Sequence, residues 1–250
     1  MRTAPEPNYE YRVEELVKLY KKAIDDLQSE LNRYDMFDTR AANTRAILVE
    51  VSRILSELNE DSAKWVEKNV PAVAREGVAR TLYELGIAKT LEQAKKIESF
   101  NKINERAVAA AVADMQTDLL AVTQNIDRRV RNAVRQVTAD VMRSNMVRGI
   151  NGRKTITREL IQGLRKKLGE SLETGIIDAA GRRWKPETYV DTLARTKLMD
   201  VHHEAKINEA VSREAWYGLI STAPAKDACR FHTGRIIKLV SEAPGPYITY

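Results

Sequence analysis

The chain has 250 residues, of which 43% are hydrophobic, 30% are charged and only 6% are aromatic. Few aromatic residues with many Ala, Leu, Val, Glu, Lys and Arg are typical of long amphipathic helices rather than of a β-sandwich. No apolar stretch of about 18 residues occurs, which excludes a membrane-spanning helix, and the polar N-terminus lacks the apolar segment of a secretory signal. The single cysteine, Cys229, excludes an intrachain disulfide and favours synthesis in a reducing cytoplasm.

The net charge of +6 is unevenly distributed along the sequence. The first 100 residues carry a net charge of −2, and the remaining 150 carry +8. Residues 128–167 alone contain twelve basic and two acidic side chains. A block of this kind is the electrostatic pattern expected of a surface that meets a polyanion.

Four helices are predicted in the first 100 residues. Apolar residues at helical spacing predict a helix over 9–33 and a second helix from about 38 to 69. Pro71 predicts a break, because proline has no backbone donor for a helix interior. A short helix over 72–85 then ends at Gly86, and Thr90 with Gln93 fits a capping box that begins a helix reaching about residue 100.

Residues 103–148 predict one long helix, since this stretch contains neither Gly nor Pro. Such a helix spans roughly 65–70 Å at 1.5 Å per residue. Its narrow apolar stripe predicts a helical hairpin or a coiled-coil-like seam, with the basic face exposed beside it. The stripe consists of Val108, Val112, Met115, Leu119, Val122, Ile126, Val130, Val134, Val137 and Val141.

The periodicity changes in the last third of the chain. A helix over about 157–168 precedes a β-hairpin at 175–184, in which Gly181 supplies the turn. Pro186 is suited to the first position of a helix that reaches about 213. Two strands, 216–221 and 236–240, flank a polar loop around Asp227, and the tail from Ala243 is turn-like.

These elements predict a mainly α protein with long helices and helical hairpins in the N-terminal two-thirds and a small α+β module at the C-terminus. We expect a helical domain over 1–169 and the α+β module over 170–250. Because the module ends in unpaired strand character, a truncated module is one interpretation of the sequence.

The basic block supplies the strongest candidate binding site. Lys and Arg side chains neutralise phosphates and release counterions, which predicts DNA binding that is independent of sequence and sensitive to salt. Few aromatic residues interleave with the block, so stacking on single strands is not expected. The alternatives are a solvated helix face or a surface that meets an acidic partner protein. The candidate residues are Arg128, Arg129, Arg131, Arg135, Arg143, Arg148, Lys154, Arg158, Arg165, Lys166 and Lys167.

Two histidine-containing segments resemble fragments of enzyme sites. His202 and His203 are followed by Glu204, but a zinc-binding His-Glu-x-x-His motif needs a second histidine one helical turn away. The pair therefore predicts one semi-buried and one exposed histidine. Cys229 and His232 lack an orienting third group, and a zinc site needs about four ligands. We predict no catalytic residue, no metal site and no cofactor.

The remaining candidates have structural interpretations. Asp114 and Asp118 lie one turn apart on one face of the long helix, and Asp127 follows on the same helix; all three are interpreted as solvated charges near the seam. The three tryptophans, Trp65, Trp184 and Trp216, are interpreted as core residues. No glycine-rich loop with a following Lys-Ser or Lys-Thr is present, so nucleotide hydrolysis has no support.

Several motifs, in order along nearly the whole chain, resemble the phage minor capsid protein 2 family, which is related to the Mu F-like head morphogenesis proteins. The helix with Tyr189-Val190-Asp191 and Arg195-Thr196-Lys197 looks like the Arg-Thr helix of that family. The other matching segments are VART at 78–81, DLLAVTQN at 118–125, GINGRK at 149–154, TGIIDAAGRRW at 174–184, DACR at 227–230 and GRIIKL at 234–239.

The resemblance implies a low-copy structural protein of a tailed phage or prophage, made in the bacterial host cytoplasm and located in the virion, in the capsid interior or at the portal vertex. It implies a role in head morphogenesis or DNA delivery, and it implies portal protein, major capsid protein and packaged double-stranded DNA as partners. It implies no catalytic residue, no membrane and no small-molecule substrate. The sequence departs from the family pattern where a His-Pro-x-Cys-type segment and a second cysteine are expected.

Three hypotheses follow. In the first, a structural virion protein docks on portal or major capsid protein through the apolar seams of its long helices and contacts packaged DNA through its basic face. In the second, the protein binds DNA independently of sequence through the basic face at 128–167. In the third, the C-terminal module is an enzyme that depends on Cys229 and His203.

Overall fold

A computed structural model of the chain describes residues 3–33, 41–149, 152–173, 176–177, 182–220 and 228–249. Within the helices and strands, the side chains at 31–33, 41–45, 153, 154, 157, 161, 165, 168, 170–173, 177, 228 and 229 lie outside this description. The predicted fold class, mainly α with a small C-terminal α+β module, is confirmed. The helices are α1 (Glu10–Arg33), α2 (Ala41–Glu84), α3 (Leu91–Ile97), α4 (Lys102–Val147), α5 (Arg153–Glu173) and α6 (Pro186–Ser212).

The predicted break at Pro71 is wrong, because α2 continues through this residue. A proline inside a helix costs about 3 kcal/mol through the lost hydrogen bond and the steric clash. Val66, Val70, Val73 and Ala74, on both sides of the proline, are completely buried. Burial of each valine contributes about 1.5–3 kcal/mol, so packing on both sides outweighs the local cost.

Two predicted helix ends are confirmed in detail. At the end of α2, Gly86 has φ of +78°, and the amides of Gly86 and Ile87 donate to the carbonyls of Tyr83 and Leu82 at 3.0 and 2.9 Å. This pattern of two bonds is a Schellman motif. At the start of α3, the Gln93 amide donates to Oγ1 of Thr90 at 3.1 Å, whereas the Gln93 side chain accepts from the amide of Lys89, one residue before the N-cap, at 2.9 Å.

The long helix is confirmed as α4, whose 46 residues correspond to about 69 Å. Most of its predicted apolar stripe is buried: Val108, Met115, Leu119, Val122, Ile126, Val130, Val134 and Val137. Helix α5 approaches this stripe closely at Gly163, since a Cβ added there would lie 2.7 Å from Cγ1 of Val137. Because the two positions lie on either side of the α4–α5 connection, these helices form a helical hairpin.

Contacts divide the chain into two units. Unit I comprises Met1–Pro7, Val70–Val112 and Leu198–Tyr250, and unit II comprises Asn8–Asn69 and Ala113–Lys197. Helices α2, α4 and α6 each contribute residues to both units. The domain boundary that we expect near residue 169 remains a prediction.

Unit II has an apolar core with a few buried polar groups. Leu16, Tyr20 and Leu27 of α1 are fully buried. The Tyr20 hydroxyl donates to the carbonyl of Leu119 at 3.2 Å, and the Trp65 indole N–H donates to the carbonyl of Arg12 at 3.1 Å. These bonds connect α1 with α4 and α2 inside the unit.

Unit I joins the end of α2, the start of α4 and the end of α6 through buried polar contacts. Oγ1 of Thr81 donates to the Lys206 carbonyl at 3.1 Å, and Nδ2 of Asn104 donates to the Ala205 carbonyl at 3.3 Å. Asn101 precedes α4, and its Oδ1 accepts from the Asn104 amide at 2.8 Å. An N-cap bond of this kind satisfies a donor that the first helical turn leaves free.

The predicted hairpin is confirmed as antiparallel strands β1 (Ile176–Ile177) and β2 (Arg183–Trp184); its turn residue Gly181 lies outside the described residues. Strands β3 (Tyr217–Leu219) and β4 (Ile236–Lys238) are also antiparallel. The turn-like tail contains a strand that the sequence did not predict, because β5 (Ile248–Thr249) pairs in parallel with β4. Both edges of β4 are therefore hydrogen-bonded, one to β3 and the other to β5.

The prediction that all three tryptophans are core residues is wrong for Trp216. Trp65 is buried, Trp184 is half-buried, and Trp216 is 42% exposed. Trp216 directly precedes β3 in a sheet of two- and three-residue strands. Such short strands offer too little surface to enclose an indole ring.

Candidate interaction surface

The basic face consists of the eleven predicted Lys and Arg residues between 128 and 167, all of them in unit II. Arg128 and Arg135 are exposed on α4. Because seven residues make nearly two helical turns, the two side chains leave the helix in almost the same direction, about 10 Å apart. No carboxylate among the described residues forms an ion pair with either guanidinium.

Other arginines of the basic face are already paired. Nε of Arg131 lies 2.8 Å from Oδ2 of Asp127, and its Nη2 donates to Oγ of Ser52 at 2.7 Å. Arg129 donates to Oδ1 of Asn125 at 3.0 Å. Arg143 faces Asp140 at 3.8 Å with both side chains about three-quarters exposed, and such a pair contributes little.

Helix α5 contributes the exposed cations Arg158, Lys166 and Lys167. The side chains of Lys154 and Arg165, which the sequence also assigned to the site, lie outside the described residues. The described cations without a bound carboxylate are thus six of the eleven predicted residues: Arg128, Arg129, Arg135, Arg158, Lys166 and Lys167.

A polar cluster connects the end of α4 to α5. Oε2 of Glu159 accepts from Nδ2 of Asn145 at 2.8 Å and from Nη2 of Arg148 at 2.7 Å. The hydrogen bond from Arg148, followed by the one from Asn145 and by the charges of Arg148 and Arg158, lowers the pKa of Glu159. Asn145 itself is 2% exposed, so this contact fixes the last turn of α4.

Beside that cluster lies an apolar surface that the sequence reasoning missed. Met142, Met146 and Val147 are 58%, 84% and 84% exposed. A signal was present in the sequence: the buried stripe continues through Val137 and Val141, and the two methionines form a second apolar row outside it, one turn apart. Apolar residues that fall outside the spacing of the buried stripe are the pattern that could have indicated an exposed apolar surface.

The seam of α4 is not available to a partner, contrary to the docking mechanism expected from the sequence. Met115, Leu119 and Ile126 are no more than 2% exposed, and the Tyr20 hydroxyl of α1 reaches the carbonyl of Leu119 inside unit II. A partner that binds this helix must therefore contact its outer side.

The carboxylate candidates of α4 are neutralised by neighbouring cations. Nζ of Lys197 donates to the Asp114 carboxylate and lies 3.1 Å from Oδ2 of Asp118. The hydrogen bond to Asp114 is the main cause that raises the pKa of Lys197. Asp127 is bound to Arg131. All three carboxylates act as ion-pair partners within unit II.

The histidine pair lies in unit I. His203 is exposed, as the sequence predicted, whereas His202 is 2% exposed and thus fully buried rather than semi-buried. Burial, followed by the charges of Arg80, His203 and Lys206, lowers the pKa of His202 to about 3. The imidazole of His202 is therefore neutral at ordinary pH and serves as a packed polar side chain.

The Cys229–His232 candidate falls on the 3-10 helix Ala228–Phe231 and the turn after it. The Cys229 side chain lies outside the described residues, and His232 is exposed. In the part of the chain that the structure describes, no three His, Cys, Asp or Glu side chains converge as metal ligands. The described helices also include none that is long and apolar enough to cross a membrane.

The described residues thus combine long helices that have a buried seam with exposed cations and an exposed apolar helix end. The sequence model of the phage minor capsid protein 2 family matches residues 8–248. The match covers nearly the whole chain, and the chain belongs to this family. Comparison with curated proteins found no match, and comparison with solved structures found none either.

The family identifies the chain as a minor structural protein of the phage capsid, and thus as a component of the virion that interacts with other structural components of the particle. The resemblance inferred from the ordered motifs is confirmed. A structural capsid family also favours a non-enzymatic role.

Proposed function

We propose that this minor capsid protein is a low-copy component of the capsid interior or the portal vertex, where it acts in head morphogenesis or DNA delivery and its basic face contacts packaged DNA. Arg128 and Arg135 carry the DNA part of the proposal. They are exposed, parallel and free of carboxylate partners among the described residues.

Electrostatics support DNA as the polyanion. A cation already bound to a carboxylate contributes little to phosphate binding, whereas a free cation releases a counterion from DNA when it binds. Lys166 and Lys167 add exposed cations from α5, and Arg158, whose charge also acts on Glu159, adds a third. No base-reading element is needed, because a protein that lies against packaged DNA meets every sequence.

The location is tested by quantitative mass spectrometry of purified heads. We expect a fixed, low number of copies per portal ring, and we expect the protein to copurify with portal rings or major capsid protein after mild disruption. A protein absent from purified heads would contradict the proposed function. A copy number equal to that of the major capsid protein would contradict the low-copy role.

The DNA contact is tested by duplex binding across a salt series. The Arg128→Ala/Arg135→Ala variant is expected to bind more weakly and to reduce the slope of log K against log salt by about 2, roughly one per lost phosphate contact. Arg53→Ala is the matched control, since Arg53 is half-exposed on α2 but bound to Glu50 and Glu57. Failure of the unmodified protein to bind duplex DNA at low salt would refute the DNA contact.

A further inference from the structure

The end of α4 presents an apolar surface to solvent. Met142 and Met146 lie one turn apart, and Val147 follows directly; all three are more than half exposed. Contiguous exposed apolar groups mark interaction sites in soluble proteins. Methionine is flexible and polarisable, so it adapts to the shape of a partner.

This surface is held in place from its other side. Asn145 is buried, and its Nδ2 donates to the Val141 carbonyl and to Glu159, both at 2.8 Å. Arg148 binds the same Glu159 oxygen. Met146 is therefore exposed on a helix end that is already held against α5. Binding a partner there costs little conformational entropy.

Basic residues adjoin the apolar centre along α4 and on α5. Arg135 precedes Met142 by seven residues and so lies on the same side of α4. Arg143 is three-quarters exposed, and Arg158 is exposed on α5. Over residues 135–159 the sequence contains six basic and two acidic side chains. An apolar centre with a charged rim is the usual arrangement of a protein–protein interface.

The chemistry of this rim selects one occupant. Duplex DNA offers phosphates to the arginines but no apolar surface to cover two methionines and a valine. A second copy of this chain would bring two cationic rims together, and like charges facing each other cost several kcal/mol. A helix with apolar residues at i, i+3 and i+4 and with Asp or Glu beside them satisfies both the centre and the rim.

We propose that Met142, Met146 and Val147, with the neighbouring Arg143 and Arg158, dock an acidic amphipathic helix of another protein of the head. The inference rests on the proposed function and names the chemistry of the partner. The methionines supply the contact area, and the arginines select a partner with negative charge.

Site-specific crosslinking within assembled heads tests the occupant. A photoreactive phenylalanine analogue replaces Met146 and is activated in purified heads, and the crosslinked peptide is sequenced by mass spectrometry. We expect a peptide of another head protein, net negative, with apolar residues at helical spacing. A crosslink to DNA, to a second copy of this chain or to a peptide without net negative charge overturns the proposal, as does the absence of a crosslink. The same analogue at Val49, which is 63% exposed on α2, is the position control.

Incorporation into heads tests the surface itself. Met146→Asp is expected to reduce the number of copies per portal ring about tenfold, the effect of about 1.4 kcal/mol of lost binding. Ile103→Asp, at the other end of α4 with 57% exposure, is expected to be incorporated normally. Because Met146 is 84% exposed, the variant should fold, which its circular dichroism spectrum verifies.

The outcomes separate the two proposals. Unmodified protein that is absent from heads refutes the proposed function. Unmodified protein that is present, together with a Met146→Asp variant at equal copy number, refutes the docking surface alone. Arg143→Glu provides a second measurement at an arginine on which the DNA contact does not rest: it should lower incorporation, whereas a partner that is not acidic would leave incorporation unchanged.

Discussion

Gly77 of α2 lies directly against the backbone of His202 in α6. A Cβ added at Gly77 would be 2.5 Å from the carbonyl oxygen of His202 and 3.4 Å from the amide nitrogen of Lys206. Both neighbours are helix backbone and cannot rotate away. The glycine thus permits the two helices to approach inside unit I.

Gly77→Ala is therefore expected to destabilise the protein by about 1–3 kcal/mol, the usual cost of forcing extra atoms into a packed core. Thermal unfolding followed by circular dichroism should show a lower Tm, by roughly 2–4 °C per kcal/mol for a chain of this size.

Gly169→Ala is the matched control for this substitution. Gly169 also lies inside a helix, but a Cβ there would meet no atom within 4 Å. Alanine is preferred over glycine in a helix by up to about 1 kcal/mol, so Tm should stay or rise. Equal losses in both variants would contradict the role assigned to the contact with His202.

The long elements of this fold were predictable because their signal is local. An uninterrupted helical pattern over more than forty residues determined α4, and Thr90 and Gly86 defined neighbouring ends. Pro71 was misjudged because its penalty is local, whereas the burial of Val70 and Val73 that offsets it depends on the fold. Strand β5 was missed because two residues carry no periodicity; only its pairing with β4 defines it.

The candidate site was predictable as a charge block but not as a surface. A count of basic residues treats Arg128 and Arg131 alike, yet Asp127 forms an ion pair only with Arg131. Which guanidinium a carboxylate binds depends on how the side chains are placed in the fold. The position of Met146 outside the buried stripe was a signal in the sequence, but its exposure of 84% depends on how the neighbouring helix packs, which the sequence does not show.

Tyr20→Phe tests a buried hydrogen bond in unit II. The Tyr20 hydroxyl, fully buried, donates to the carbonyl of Leu119. Its removal should lower the free energy of unfolding by about 1 kcal/mol, measured by chemical denaturation. Tyr11→Phe, at a side chain 55% exposed, should change stability by less than about 0.5 kcal/mol. The bond is unimportant if the two variants unfold at the same denaturant concentration.

Glu159→Gln tests the contact that fixes the end of α4. The carboxylate binds Arg148 and Asn145, and its pKa lies below the ordinary 4.5. The ionised Glu159 carboxylate therefore stabilises the folded chain above pH 4.5, and this contribution is lost as the pH falls through the lower pKa of the folded state. Hydrogen exchange of the amides in the last turns of α4 should accelerate in the variant at neutral pH. Asp140→Asn, which breaks only an exposed pair, should leave those rates unchanged.

His202→Gln tests the effect of acid on unit I. Burial, with the charges of Arg80, His203 and Lys206, holds the pKa of His202 at about 3 in the folded chain, below the ordinary 6.5. Between pH 6.5 and 3 the unfolded chain therefore binds a proton that the folded chain does not. The free energy of unfolding falls as pH decreases through this window, whereas above it His202 has no effect.

From pH 7.5 to 5 this histidine should remove up to about 2 kcal/mol of stability, since one pKa unit corresponds to about 1.4 kcal/mol. Glutamine does not titrate, so the variant should lose correspondingly less over the same interval. Its stability at pH 7.5, where both side chains are neutral, measures the packing cost of the substitution separately. Chemical denaturation at both pH values decides the matter: identical losses in the two proteins would show that His202 takes up its proton in the folded chain as readily as in the unfolded one.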